Sequence, residues 1–156
     1  MSRLATNLRR RGTRRRGTTT VEFAITCPIV FFLIFAIIVG AVGVFRYQQV
    51  AALAREGARW ACVHGGQYAE DTKQPAATAQ DVYTNAIAPL TVALDPSRLT
   101  CNVTWNKSNY PVSIDETTQD PVANTVTVTV TYQWIPEMYL AGPYSLTSTS
   151  TAQMMY

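Results

Sequence analysis

The sequence predicts an α+β chain with one long N-terminal helix, a short second helix and an antiparallel sheet of about three strands. Three observations carry that reading. The stretch from Phe23 to Phe45 contains no charged residue. Helical spacing of small and apolar residues continues beyond it to about His64. After Asp95-Pro96 the apolar period changes from that of a helix to two, the period of a strand.

The first element is set by charge as much as by hydropathy. The net charge of +3 conceals a division. Residues 1–17 hold seven of the 13 basic residues and none of the ten acids, so this tail is +7 and the remainder −4. Such a run could bind nucleic acid, but its place directly before an apolar segment makes it a topology signal, and no nucleic-acid partner is expected. A helix of 23 residues is about 35 Å long, enough for a hydrocarbon core of about 30 Å. It has no polar face, as a helix on a soluble core would. Only Arg46, Arg55 and Arg59 follow closely, so the N-terminus is expected in the cytoplasm and the rest beyond the cell (inner) membrane, in the periplasm or outside. A cleaved secretory signal would be shorter and would end in a small-residue cut site, which is not seen.

Past the membrane the helix should continue over residues 46–65. Val50, Leu53, Ala54, Gly57, Ala58 and Ala61 recur at three- and four-residue steps, and Gly65-Gly66 is a plausible stop. Gln67 to Ala77 reads as a polar loop. Thr78 and Asp81 resemble a capping box, opening a helix over about 79–93. Leu99 to Trp105 alternates as a strand, and Asn106 to Val122 reads as a long loop. In NTVTVTVTYQW, Val126, Val128 and Val130 share one face and Thr127, Thr129 and Thr131 the other. A Pro-containing connection then leads to SLTSTSTAQMM, expected to be the hairpin partner of that strand. The threonine face should meet solvent or a neighbouring subunit.

Residues suited to catalysis are scarce. His64 is the single histidine, and no nucleophile elbow, phosphate loop or zinc-protease motif occurs. The expectation is therefore no enzyme, no catalytic residue and no cofactor. Cys62 and Cys101 both fall in the exported part, where disulfides persist, and a bridge between them is expected. It would close a loop of about 40 residues, worth about 4 kcal/mol in the chain-entropy account. A metal site from Cys62, His64 and Cys101 lacks a fourth ligand and is not expected.

Glu22 is the informative residue, a carboxylate at the start of an apolar helix. Arg14-Arg15-Arg16-Gly17 followed by Thr18-Thr19-Thr20-Val21-Glu22-Phe23 resembles the processing site of type IV prepilins. The closer resemblance is to TadE-like minor pseudopilins of the Flp/Tad (tight adherence) pilus system. It rests on Gly17, Val21-Glu22-Phe23-Ala24 and Pro28, on Ala54-Arg55-Glu56-Gly57-Ala58-Arg59, and on the paired C-terminal strands. The resemblance implies a type IV pilin-like fold and cleavage between Gly17 and Thr18 by a prepilin peptidase. It gives Glu22 and Phe23 a part in assembly. Implied partners are the peptidase, other pilins or pseudopilins, the inner-membrane pilus assembly platform and the lipid bilayer. The expected divisions are a basic leader over 1–17, a membrane helix over 18–45, its continuation over 46–65 and a domain over 66–156. The rival readings are a signal-anchored binding domain unrelated to pili and an exported enzyme.

Overall fold

The structure is a computed structural model that describes residues 16–136 and 142–156. The leader's first fifteen residues and part of the Pro-containing connection, 137–141, lie outside the described residues. Helix α1 spans Arg16–Val63. Two short helices follow, α2 over Gly66–Thr72 and α3 over Ala79–Val82. The strands are β1 (Leu99–Trp105), β2 (Val112–Ile114), β3 (Pro121–Ala123), β4 (Thr125–Trp134) and β5 (Tyr144–Gln153). The chain divides into two units, residues 1–40 and 41–156.

In the first unit α1 is apolar on every side. Phe23, Ile25, Ile29, Phe32, Leu33 and Ile37 are each more than 60% exposed. Pro28 lies inside the helix. Lacking an N–H, it leaves the Ala24 carbonyl without its usual helical partner.

In the second unit a three-stranded antiparallel sheet runs in the order β1-β4-β5. Val126, Val128 and Val130 on β4 are wholly buried. α1 packs on this face through Val50, Ala54, Gly57 and Ala58, all buried. A Cβ at Gly57 would lie 3.1 Å from Val128 Cγ1 and 3.3 Å from Ile87 Cδ1, so three elements meet where α1 has no side chain. Of the helical stripe that the sequence predicts, Val82, Ala86, Ile87 and Leu90, the first three are buried there too, while Leu90 is exposed. The continuation of α3 tightens and loosens along its length, with a π turn over Tyr83–Ile87 and a 3₁₀ turn over Ala88–Leu90.

The predicted capping box is present. The Thr78 hydroxyl accepts from the Asp81 N–H, and the Asp81 carboxylate accepts from the Thr78 N–H at 2.9 Å. The Thr78 hydroxyl also donates to the Asp81 carboxylate at 2.6 Å, and this bond, with the Thr78 N–H second, holds the Asp81 carboxyl below the usual carboxylate range. The predicted β4–β5 hairpin is likewise present, in register from Thr125 opposite Gln153 to Trp134 opposite Tyr144.

Two expected loops contain regular structure. Within Gln67 to Ala77 lies most of α2, whose polar sequence has no apolar stripe to announce it. Within Asn106 to Val122 lies most of the β2–β3 hairpin. Asp115 organises its turn. The carboxylate accepts from the N–H groups of Thr117 and Thr118 and from Lys107 Nζ, which together push its pKa down to about 2. Three-residue strands are too short for alternation to reveal. Buried Asn124 ties the hairpin's base to the sheet, its Nδ2 lying 2.7 Å from the Tyr110 carbonyl oxygen.

The chain after β5 returns to the end of α1. The N–H groups of Met155 and Tyr156 donate to the Cys62 carbonyl at 2.9 and 3.2 Å. The Gly65 N–H donates to the Tyr156 carbonyl at 3.0 Å, and Ala77 donates to His64. The helix's last carbonyls thus find partners beyond the helix. Gly65 must be glycine for space. A Cβ there would fall against the carbonyl oxygens of Asn109 and Tyr156 and 2.6 Å from the Met154 methyl. Gly65→Ala should therefore destabilise the domain by about 1–3 kcal/mol, the usual cost of overpacking. Urea unfolding of the detergent-solubilised chain, followed by tryptophan fluorescence, measures this; an unchanged midpoint would contradict the tight approach.

Candidate assembly site on the first helix

The candidate site is the N-terminal part of α1. Its backbone is helical from Arg16, so Gly17, Thr18, Glu22 and Phe23 share one continuous element. Glu22 follows Thr18 by four residues, which places the two on one helical face, a turn apart. The Thr26 hydroxyl donates to the Glu22 carbonyl at 2.8 Å, leaving the carboxylate outside this backbone bond. Glu22 is exposed, and the ion pairs among the described residues are Arg98–Asp95 and Lys107–Asp115, neither of which involves it.

Gly17 is exposed, and a Cβ built on it would meet nothing within 4 Å. Among the described residues nothing gives a reason for glycine at this position, in contrast to Gly65. Phe23 is 69% exposed and makes no core. Farther along, Ala36 and Gly40 are exposed at four-residue spacing, a small-xxx-small pair of the kind that lets membrane helices approach closely. The helix contains an 18-residue window of mean hydropathy 2.8, of which none is buried by the protein. This is one helix long and apolar enough to cross a membrane, consistent with a single-pass anchor.

The expected Cys62–Cys101 disulfide is not formed; both thiols are free. Cys62 Sγ donates to the Arg59 carbonyl at 3.1 Å, turned back on its own helix. Cys101 lies on β1 opposite Val130, half buried. Compartment and loop length set what a bridge would contribute, but they do not bring two Cβ atoms to the required 3.5–4.5 Å or so. Cys27, in the apolar part of α1, is free as well.

One cluster escaped the sequence reading. Trp60, His64 and Tyr68 follow one another at four-residue intervals across the end of α1. The Trp60 and His64 rings stack at 3.9 Å, and Tyr68 lies 4.7 Å from the imidazole at a tilt. His64 Nδ1 donates to the Trp60 carbonyl at 2.8 Å, since a carbonyl can only accept. These rings line a groove of about 360 Å³ with Gln74 and Asn85. The i, i+4, i+8 aromatic spacing was the available signal. Among the described residues no cluster of three or more metal-ligating side chains occurs.

The free thiols make a direct prediction. Burial, the largest influence on each, pushes the Cys62 and Cys101 thiols up from their ordinary range. The thiolate is the reactive form, so alkylation of the folded protein by iodoacetamide should be slow at pH 7.5 and quicken as pH rises. After unfolding without reductant, intact mass should show all three cysteines alkylated; a species retaining two unmodified cysteines, linked in peptide maps, would contradict the free pair.

No curated protein and no solved structure gives a match to this chain. A family model does, and it begins at Gly17 and ends at Arg59, covering the candidate site and the first turns of the sheet-packing half of α1. Over residues 17–59 the chain matches the family described as TadE-like protein, so that segment is TadE-like.

Proposed function

We propose that the chain is a minor pseudopilin of the Flp/Tad type, anchored by α1 with its N-terminus cytoplasmic and its β-rich domain exported, and that it serves pilus biogenesis and surface attachment. The observation that carries this reading is exposed Gly17, Glu22 and Phe23 at the head of a helix whose apolar surface no described residue covers. A glycine the fold does not need suits an external requirement, close approach of a peptidase to the backbone. Cleavage between Gly17 and Thr18 removes the arginine-rich leader and places an ammonium on Thr18. A carboxylate at the edge of a membrane is acceptable beside an opposite charge. Glu22 then pairs with the Thr18 ammonium of its own or a neighbouring subunit, setting axial register while the apolar helices pack. Partners on this reading are the prepilin peptidase, other pilins or pseudopilins and the inner-membrane assembly platform.

Processing is tested by N-terminal sequencing of the protein from cells with an active prepilin peptidase. The mature chain should begin at Thr18, and Gly17→Leu should block the cut. A native protein that still begins near Met1 would overturn the pseudopilin reading and favour a plain signal anchor.

Glu22→Gln tests the ion pair, because it keeps size and hydrogen bonding while removing charge. Membrane level and cleavage should stay near normal. Pilus assembly should fall at least severalfold, since losing one partner strands the other charge. Wild-type numbers of pili in Glu22→Gln cells would reduce Glu22 to a helix-start residue.

A further inference from the structure

One end of the sheet reaches the place where α1 leaves its uncharged run. A Cβ at Gly57 would lie 3.1 Å from Val128 Cγ1, and one at Gly43 would lie 2.9 Å from Trp134 Cζ3. From Val128 to Trp134 the strand covers about 20 Å, and from Gly57 back to Gly43 the helix covers about 21 Å. β4 thus keeps pace with α1 down to Gly43, which stands just before Phe45, the last residue of the uncharged run. Residues 41–45 belong to the same unit as the sheet. Tyr144 lies at this end too, its ring centroid 6.1 Å from that of Trp134, and it is 50% exposed. Trp and Tyr are the side chains that gather at membrane–water interfaces.

The loop between the 3₁₀ turn Ala88–Leu90 and β1 comes to the same level. Gln49 Nε2 donates to the Val92 carbonyl at 3.5 Å, and Arg46 donates to the Ala93 carbonyl. Gln49 stands only about 6 Å beyond Phe45 along the helix. Ala93 has left-handed backbone, φ 66°, which is uncommon for a residue with a Cβ. Around this turn Leu94 is buried, whereas Val92 is 75% exposed and Leu90 is exposed as well. Leu94 holds the loop to the core, so the core gives no account of Val92. Single exposed apolar residues are ordinary. Two on a loop tied to the exit of an apolar helix have a neighbour to explain them. The acid that follows, Asp95, accepts from Ser97 and lies 3.4 Å from Arg98 Nε, which offsets its repulsion from anionic headgroups.

We propose that Val92 and Leu90 seat the β-rich domain on the bilayer surface beside α1, a lipid contact separate from the span itself. The inference rests on α1 crossing a membrane. The headgroup layer is about 5–8 Å thick on each side of the hydrocarbon. With Phe45 at the hydrocarbon edge, that layer takes in the level of Gln49 and so of Val92. The tether selects lipid as the occupant, because a loop bonded to Arg46 and Gln49 of a spanning helix is held against the membrane surface. That layer is hydrated, so the loop's backbone groups keep their partners while the two side chains reach toward the acyl chains. Leu90 lines a shallow groove with Gln49 and Glu56, farther from Phe45, and is the shallower of the two contacts. Interfacial anchors set the tilt and rotation of a membrane helix. The seat therefore fixes how the domain stands on the membrane.

The test is quenching of a thiol-linked NBD fluorophore by phospholipid that carries a nitroxide near its headgroup. The full chain in a Cys27→Ala background is labelled briefly at neutral pH, where the buried native thiols react slowly, and the Cys27→Ala chain alone is the blank. It is then reconstituted into vesicles of phosphatidylethanolamine and phosphatidylglycerol. Val92→Cys and Leu90→Cys probe the seat, Phe45→Cys the exit of the span, and Gln67→Cys, exposed at the start of α2 past the far end of α1, the remote domain surface. Val92→Cys should be quenched about as strongly as Phe45→Cys and at least about twofold more than Gln67→Cys, with Leu90→Cys between, as their heights above the headgroup layer require. Quenching at Phe45→Cys with Val92→Cys no higher than Gln67→Cys would overturn the seat and leave the anchor standing. Leu90→Cys quenched more than Val92→Cys would contradict the tethered geometry. Loss of quenching at Phe45→Cys as well would overturn the anchor and the seat together.

Discussion

A single helix in this chain must satisfy two surroundings, and the change of surroundings along α1 governs the rest of the molecule. From Phe23 to about residue 40 the helix is apolar all round, and its described residues are largely exposed. Beyond that its buried side is built of Val50, Ala54, Gly57, Ala58 and Ala61. The first half has too much apolar surface for water. The second has side chains so small that a sheet can lie directly against the backbone. Sheet position, strand choice and the capping of the helix end follow from that second property.

Contact at Gly57 shows the dependence most clearly. With no side chain there, the β4 valines and Ile87 reach the helix together, so sheet, π turn and helix form one core. A core of this kind is small, and the residues after β5 are drawn into it. Met154 is buried, and the backbone beyond it donates to the Cys62 carbonyl. Gly65 and Gly66 allow Tyr156, Asn109 and Tyr110 to close over the helix end. The sheet's inner face is thus used up by α1 and its neighbours, while its outer face stays uncharged.

Legibility in the sequence follows the strength of each pattern. The extent of α1, the Thr78–Asp81 box and the β4–β5 hairpin were readable because long periodicity or a specific pair of side chains writes them plainly. The polar helix α2 and the β2–β3 hairpin were not, since one has no apolar stripe and the other has strands of three residues. Their placement depends on tertiary bonds, such as the Gly66 N–H donating to the Asn109 carbonyl and the Asn124 amide against Tyr110. The cysteine pairing failed for a different reason: oxidation state and loop length are readable from a sequence, but the direction of two thiols is not. At the head of α1 the residue types were legible as Gly17, Glu22 and Phe23. Structure adds that no neighbour among the described residues explains any of them, which directs the explanation outward.

The central claim is that α1 crosses a membrane and delivers everything after it to the far side. The most direct measurement is labelling of Gln67→Cys, an exposed position at the start of α2, in intact spheroplasts with a membrane-impermeant maleimide. The account predicts labelling without lysis, well above the background of the buried and half-buried native thiols. Labelling that appears only after the membrane is broken would place the domain in the cytoplasm and contradict it.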